Sequence, residues 1–327
     1  MKKIIKITNI ISLIFISSLL SLYSIEFISE KYFFDKLYYN KSIKHGYWNP
    51  EKTTKFSEFG NRSRDIDNLY KEWEKKKENN TLGKTTIPDD QFIIAIHGDS
   101  YVWGQGVKYT NTLPYLLEKN LNKQINSTVL GLAISGNSIM ELQNSYYLAN
   151  NVYSVDFNIF VPVTNDLLIK NEVNYEKKYP QWNICKKKHP DINPIYDWTE
   201  EEQSGTTDKE NLNDHYKKIV NLSWENDFNL CLLDESLKTI SNKNSIFFIP
   251  LCYEDNNMNK YTKYIKNHNF QIANFLDSEN NDKYESFWKD PLYNFMVSEQ
   301  DGHPSKHAHL IFAQMLEPIV LEKIHQN

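Results

Sequence analysis

From residue 91 to the end of the chain, short runs of apolar residues alternate with segments in which apolar residues recur at helical spacing. The segments at 112–123, 138–150, 257–268 and 305–326 predict helices. Continuously apolar strands that alternate with helices are typical of a parallel sheet covered on both faces. The pattern therefore predicts a three-layer α/β/α domain over residues 91–327, with a parallel sheet of about five strands. The predicted strands are "FIIAI" (92–96), "TVLGLAI" (128–134), "FNIFVPV" (157–163), "SIFFIPL" (245–251) and "FQIANF" (270–275).

The alternation is interrupted after the third predicted strand. Residues 167–244 are polar, rich in Trp and Asn, and too long for a single crossover between neighbouring strands. We interpret this segment as a partly helical insertion that lies over one end of the sheet. Residues 26–90, which precede the domain, begin with an aromatic-rich stretch and are interpreted as a juxtamembrane extension.

The N-terminal segment combines positive charge with a long apolar run. Lys2, Lys3 and Lys6 are followed by residues 7–25, which carry no charge. About 20 mostly apolar residues suffice to cross a bilayer as a helix, and flanking lysines stay in the cytoplasm. The serines at positions 17, 18, 21 and 24 never lie two apart, as small residues before a signal-peptidase site do. An uncleaved signal-anchor within residues 1–25 is therefore favoured over a cleaved signal peptide. The remaining alternative is a buried N-terminal helix of a soluble protein.

Composition excludes several kinds of partner and cofactor. The net charge is −5, and the two lysine triplets (75–77 and 186–188) are interpreted as solvated faces, so no nucleic acid is expected. Of the three cysteines none has CxxC spacing, which argues against a zinc or redox motif, and no metal or organic cofactor is implied. An odd number of cysteines allows at most one intrachain disulfide, whose pairing the sequence leaves open. Cys252, after an apolar run, is expected to be a small buried residue.

Polar residues follow the predicted strands at the edge where α/β sheets bind ligands. "GDS" (98–100) follows the first strand, "SGNS" (135–138) the second and "TND" (164–166) the third, while "DGHP" (301–304) precedes the last helix. The carboxyl ends of parallel strands lie at one edge of the sheet, so these four blocks are expected to meet there.

In these four blocks the chain resembles the SGNH hydrolase (GDSL-type esterase/lipase) superfamily, over about residues 91–325 without the insertion. The resemblance implies a flavodoxin-like order of strands and an ester-cleaving site. Two positions depart from the pattern of the superfamily. Only Gly302 separates Asp301 from His303, where two residues usually intervene, and Gly131 stands where Asn usually precedes the second turn.

The resemblance implies a role for each block. Ser100 would be the nucleophile, His303 the base that takes its proton, and Asp301 the residue that orients the imidazole. The oxyanion hole would consist of the backbone N–H groups of Ser100 and Gly136 and the side-chain amide of Asn165. The chemistry of the residues agrees, because a serine hydroxyl needs a base and acyl transfer needs donors for the developing negative charge.

Other residues near these blocks have plainer interpretations. His307 and His309 are alternative bases, but both fall inside the predicted last helix. Asp99 is expected to brace its loop and Asp166 to orient Asn165. His97 is expected to pack or hydrogen-bond locally, and the aromatic pair Tyr101 and Trp103 fits either the core or a substrate wall.

Together these features predict an exported, membrane-tethered serine esterase that removes an acyl group from a glycan or a lipid through a Ser-His-Asp acyl-enzyme mechanism. The same blocks serve an O-acyltransferase acting on an envelope polysaccharide, which is the first alternative. The second is a catalytically silent carbohydrate-binding or assembly protein that keeps the fold. The sequence leaves the substrate and the oligomeric state open.

Overall fold

The computed structural model describes residues 91–104, 107, 109–133, 136–169, 179–196, 209–298 and 301–326. The predicted anchor at 1–25 and the predicted extension at 26–90 lie outside the described residues. Within the described ranges, no helix combines the length and the apolar character that crossing a membrane requires.

A parallel five-stranded sheet forms the centre of the domain, as the sequence predicts. Its spatial order is β2-β1-β3-β4-β5. In the register, Gly98 at the end of β1 pairs with Ala133 of β2 on one side and with Val161 of β3 on the other. The three strands therefore end together, and the loops after them share one edge. The strands are β1 (Phe92–Gly98), β2 (Ser127–Ala133), β3 (Phe157–Val161), β4 (Ser245–Ile249) and β5 (Gln271–Asn274).

Helices connect the strands and cover both faces of the sheet. Among the described residues, 3₁₀ turns complete the connections at Tyr109–Asn111, Thr164–Leu167, Phe275–Asn280 and Asp282–Tyr284. The described helices are α1 (Ser100–Trp103), α2 (Leu113–Leu121), α3 (Ile139–Val152), α4 (Pro180–Lys188), α5 (Lys209–Ser223), α6 (Asp227–Leu237), α7 (Asn256–Asn267), α8 (Glu285–Trp288), α9 (Pro291–Phe295) and α10 (Lys306–Gln326).

The four strands β1 to β4 are mostly apolar because both of their faces are buried. Ile94 and Ile96 of β1 pack in one apolar cluster with residues of α2 and α10. Ile93 and Ala95 face the other way and pack with Ala149 of α3. Since successive side chains of a strand alternate between faces, a strand between two helical layers has no solvent-facing position to fill with polar residues. The described part of the chain is thus a three-layer α/β/α domain.

The insertion is placed differently from the prediction. Its helix α6 contributes Phe228, Leu232 and Leu233 to the same apolar cluster as Phe160 of β3 and Phe247 of β4. This helix thus belongs to the layer that covers one face of the sheet, rather than lying only over one end. The apolar side of α6 gives the physical reason, because burying it against the sheet removes it from water.

A disulfide between Cys185 and Cys231 joins α4 to α6, with Cα atoms 5.8 Å apart. The 46-residue separation corresponds to a loop-closure contribution of about 4 kcal/mol in the chain-entropy model. Cys252 is free and buried, as predicted, and burial raises the pKa of its thiol to about 11. The insertion is therefore held to itself by a covalent bond as well as by packing.

A second, two-stranded sheet was not predicted. β6 (Met296–Ser298) pairs antiparallel with β7 (Asp301–Pro304), which contains the "DGHP" block. Strands of three and four residues are too short to show an alternating pattern, so the pairing has no signal in the sequence.

His97 of β1 lies in a buried polar network on one face of the sheet. Its Nδ1 atom lies 2.7 Å from Ser145 Oγ and its Nε2 atom 2.9 Å from Asn158 Oδ1. The imidazole also stacks on Phe160, with ring centroids 4.7 Å apart. Burial lowers the pKa of His97 to about 4, against a smaller opposing effect of the bond to Asn158. The predicted local hydrogen-bonding role is thus confirmed, and the folded protein holds this histidine neutral.

This burial predicts a pH dependence of stability. The unfolded chain binds a proton at His97 below its ordinary pKa of 6.5, whereas the folded chain does so only near pH 4. The free energy of unfolding should therefore fall as the pH decreases from 6.5 towards 4. Urea titrations of the wild type and of His97→Gln across this range should give a shallower fall for the variant. Equal slopes would contradict the assignment of the effect to His97.

Candidate active site

The predicted nucleophile lies in a sharp turn between β1 and α1. Asp99 caps the N-terminus of α1, its Oδ1 accepting a hydrogen bond of 2.9 Å from the Tyr101 N–H. A Cβ atom at Gly98 would lie 2.3 Å from Cγ2 of Val102, so only glycine lets α1 fold back so closely on the strand. Gly104 ends α1 with a left-handed φ of 75°. Two of the glycines near Ser100 thus shape its turn, while Gly106 lies outside the described residues.

The structure brings Ser100 and His303 into direct contact. His303 Nε2 lies 2.8 Å from Ser100 Oγ, although 203 positions separate the two residues in sequence. This distance is suitable for a hydrogen bond in which the hydroxyl donates to a neutral imidazole. Ser100 itself is 6% exposed, and His303 is half-buried. The arrangement allows His303 to take the proton of Ser100.

The ring of Tyr101 contacts the imidazole of His303. Its ring meets that of His303 edge-on, with centroids 5.7 Å apart. Its hydroxyl donates a long hydrogen bond of 3.5 Å to the carbonyl oxygen of Gly302, and its ring also packs near Phe295. Trp103, by contrast, is buried in the core at 2% exposure. Of the two aromatic residues left open by the sequence, Tyr101 thus contacts the base and Trp103 belongs to the core.

Asp301 occupies the first position of β7, two residues before His303. The side chain of Asp301 is outside the described part of the structure. Its role in orienting the imidazole therefore stays a prediction from the sequence.

A second acceptor competes for the Ser100 hydroxyl. Asp99 Oδ2 lies 3.1 Å from Ser100 Oγ, and the carboxyl group is buried at 1% exposure. Burial raises the pKa of Asp99, while hydrogen bonds from the Tyr101 and Ser100 backbones, the charge of His303 and the Ser100 hydroxyl lower it. Asp99 thus braces the turn, as expected, and its carboxyl group also lies within hydrogen-bonding distance of the Ser100 hydroxyl. Catalysis through His303 requires the hydroxyl hydrogen to point to the imidazole rather than to this carboxyl group.

The predicted oxyanion donors follow the neighbouring strands. Gly136, after β2, has a φ of 76°, a conformation that favours glycine. The adjacent Asn137 donates from Nδ2 to the carbonyl oxygen of Gly98 at 3.2 Å, which ties this turn to the end of β1. Asn137 was not among the predicted site residues, although its position beside Gly136 in the "SGNS" block could have indicated it.

Asn165 lies in the 3₁₀ turn that follows β3, at Thr164–Leu167. Its side chain is half-buried, and within the described ranges its amide makes no hydrogen bond. Because β1, β2 and β3 end in register, Ser100, Gly136 and Asn165 follow strands that end at one edge. Their joint action on an oxyanion stays a prediction.

Asp166 braces the turn of Asn165 through the backbone. Its Oδ2 atom accepts a 2.9 Å hydrogen bond from the Val163 N–H, and its Oδ1 atom has no partner among the described residues. Burial, with the nearby charge of Asp99, raises the pKa of Asp166 well above its ordinary value. The expected orienting role is therefore indirect, since no hydrogen bond joins Asp166 to the Asn165 side chain.

The alternative histidines are engaged elsewhere. His309 is fully buried, and its Nδ1 atom accepts a 3.2 Å hydrogen bond from the Leu113 N–H. The ring of His307 packs edge-on against Phe287, at 5.4 Å between centroids. Of the three histidines considered as the base, His303 is the one at hydrogen-bonding distance from Ser100. In the part of the chain that the structure describes, no group of three or more His, Cys, Asp or Glu residues could hold a metal ion.

This geometry predicts which histidine substitution blocks acylation. His303→Ala and Asp301→Ala should both slow the labelling of Ser100 by a fluorophosphonate, because each removes part of the machinery that activates the hydroxyl. His307→Ala should label like the wild type. His309→Ala should lower the melting temperature but leave the labelling rate of the folded fraction unchanged. Normal labelling of His303→Ala together with lost labelling of His307→Ala would reverse the assignment.

The Asn165 amide, which has no hydrogen-bond partner among the described residues, predicts a kinetic defect without a loss of stability. Asn165→Ala should lower kcat by about 10²- to 10³-fold, the usual effect of removing one oxyanion donor. Steady-state kinetics and thermal unfolding of the purified variant measure both quantities. Asn151→Ala, which truncates an exposed asparagine of α3, is the matched control. Full activity of Asn165→Ala would exclude this residue from the oxyanion hole.

Comparisons with known proteins find similar folds but no close relative. No protein-family model and no curated protein matches the chain. Among solved structures, a psychrotrophic esterase from Pseudoalteromonas sp. is 13% identical, with a TM-score of 0.38, over 71% of this chain and 98% of that one. A lipase/acylhydrolase from Enterococcus faecalis is 11% identical, with a TM-score of 0.40, over 71% and 97%. A carbohydrate acetylesterase family member from Sinorhizobium meliloti is 13% identical, with a TM-score of 0.35, over 72% and 100%.

Other similar structures are described as lipolytic proteins of the G-D-S-L family and as an SGNH-hydrolase family esterase. The resemblance to the SGNH hydrolase superfamily rests on the four sequence blocks at the ends of the strands.

Proposed function

We propose that this protein is a serine hydrolase that cleaves esters through an acyl-enzyme. The observation that carries the proposal is the 2.8 Å contact between Ser100 Oγ and His303 Nε2. A serine hydroxyl is a weak nucleophile until a base accepts its proton, and a neutral imidazole at this distance is such a base. Ser100 follows β1 and His303 precedes α10, and the fold places these two segments side by side.

In the first half of the reaction, Ser100 Oγ attacks the ester carbonyl carbon as its proton moves to His303 Nε2. The tetrahedral intermediate carries a negative charge on the former carbonyl oxygen, which the N–H groups of Ser100 and Gly136 and the amide of Asn165 stabilise. His303 then returns the proton to the leaving alcohol, and the acyl group stays on Ser100. Asp301 orients the imidazole and offsets its positive charge in this step.

In the second half, water takes the place of the alcohol. His303 removes a proton from the water molecule, whose oxygen attacks the acyl carbon. Collapse of the second intermediate releases the carboxylic acid and returns the proton to Ser100. A sugar hydroxyl in place of water would make the same site an O-acyltransferase, so the acceptor decides between the two activities.

The disulfide supports a location outside the cytoplasm. Cys185 and Cys231 are bonded to each other, and such bonds persist mainly in oxidising compartments. The uncharged run at residues 7–25, preceded by three lysines, supports a membrane anchor with the domain on the far side. We infer a substrate of that compartment, an acylated glycan or lipid. The proposed anchor follows from the N-terminal sequence, and the proposed class of substrate follows from the compartment outside the cytoplasm.

The test is covalent labelling followed by peptide mass spectrometry. A fluorophosphonate should modify Ser100 and leave Ser135 and Ser138 of the neighbouring block unmodified, because only an activated hydroxyl reacts quickly. Ser100→Ala should lose both labelling and ester turnover, with almost no change in melting temperature. Ser241→Ala, which truncates an exposed serine before β4, is the matched control and should behave like the wild type.

The outcomes separate the three functions. Labelling with ester hydrolysis supports the esterase. Labelling without hydrolysis in water, but with transfer to added sugar acceptors, supports the acyltransferase. If the wild type stays unlabelled where a known serine esterase reacts, the enzyme proposal is wrong and the fold is a binding scaffold.

A further inference from the structure

Two side chains of the insertion donate hydrogen bonds to the turn that carries Asn165. Trp224 donates from Nε1 to the carbonyl oxygen of Thr164 at 2.7 Å, and Asn229 donates from Nδ2 to the carbonyl oxygen of Leu167, also at 2.7 Å. Thr164 and Leu167 are the first and last residues of the 3₁₀ turn. Both donors are buried, Trp224 at 2% and Asn229 at 1% exposure. The two bonds thus hold the turn at both of its ends.

The turn has few bonds of its own. Asp166 Oδ2 accepts from the Val163 N–H, and the carbonyl oxygen of Asn165 accepts from the Leu168 N–H at 2.9 Å. A four-residue 3₁₀ turn has poorer hydrogen-bond geometry than an α-helix, and a buried carbonyl without a partner is costly. Donors from elsewhere in the chain to the carbonyl groups of Thr164 and Leu167 therefore add to the short-range bonds of the turn.

The two donors are themselves fixed. The ring of Trp224 packs against that of Tyr261, with centroids 5.4 Å apart. Asn229 also accepts from the Ile195 N–H at 2.9 Å and donates to the Ile195 carbonyl oxygen at 3.1 Å. It lies two residues before Cys231, whose disulfide joins α6 to α4. Each donor thus reaches the turn from a rigid, well-packed position.

We propose that Trp224 and Asn229 are positioning residues, which set the orientation of the Asn165 amide by fixing the backbone on both sides of it. The proposal rests on the proposed function, because it assigns the insertion a part in oxyanion binding. The geometry of preorganised donors matters in acyl transfer, since a misplaced donor loses much of its effect on the transition state. The insertion then contributes to the rate, and not only to the stability of the layer it packs in.

The test is a double-mutant cycle on kcat. Trp224→Phe keeps an aromatic ring but removes the N–H, and should lower kcat by about tenfold with KM nearly unchanged, less than the loss expected from removing Asn165 itself. In an Asn165→Ala background, the same change should lower kcat no further, because the group it positions is gone. Trp288→Phe, which removes an indole N–H bonded to Ser278 at 3.0 Å, is the matched control and should leave kcat unchanged.

Asn229→Asp provides a second, nearly isosteric route to the same result. The carboxyl group still accepts from Ile195 N–H but presents no amide donor to the Leu167 carbonyl, so kcat should fall and the fall should again vanish with Asn165→Ala. Melting temperatures are measured for every variant, so that kcat is compared among folded proteins.

The proposal is overturned if either variant leaves kcat unchanged, or if its effect persists in full with Asn165→Ala, as a general loss of structure would. Fluorophosphonate labelling of wild-type Ser100 keeps this outcome apart from a failure of the proposed function. If the wild type is labelled and active but the double-mutant cycle shows no coupling, only the positioning role is refuted. Unlabelled and inactive wild type refutes both proposals.

Discussion

The parallel pairing of β1 with its two neighbours is the constraint on which the site depends. Gly98 is in register with Ala133 and Val161, so three strands stop at one line and their loops leave the sheet side by side. Polar residues that are far apart in the sequence therefore lie close together at this edge of the sheet. The glycine at the end of β1 is part of the same constraint, because any larger residue would push Val102 away and open the turn of Ser100.

Buried carboxyl groups beside the nucleophile set its electrostatic surroundings. Asp99 and Asp166 are both buried. Asp99 directly precedes Ser100 after β1, and Asp166 directly follows Asn165 in the turn after β3. Burial raises the pKa of both, and the charge of Asp99 adds to the rise at Asp166. Two adjacent anions would oppose the stabilisation of the oxyanion that the proposed mechanism requires. A shift of these groups towards their neutral forms reduces that conflict, while their hydrogen bonds still hold the two turns.

Much of this fold could be predicted from the sequence, because its signals are local. Five apolar runs became the five strands, and the blocks of Ser100 and His303 came together as their positions implied. The sheet formed by β6 and β7 escaped prediction, since its three- and four-residue strands carry no pattern. The pairing of Cys185 with Cys231, the packing of α6 on the sheet and the bonds of Trp224 and Asn229 also escaped, because each depends on contacts between distant residues. Polarity marked the insertion as irregular, but its roles arise from tertiary structure.

The contact between Ser100 and His303 has a consequence for the time at which the protein becomes reactive. The two residues are 203 positions apart, and β7 leads into α10, which packs against α2 in the core. A chain emerging from the ribosome presents its serine long before its histidine, and contacts of such long range form late in folding. If Ser100 and His303 act as proposed, the hydroxyl has no base until α10 has docked. Under the proposed mechanism, the order of synthesis would therefore delay any ester cleavage until the domain has folded.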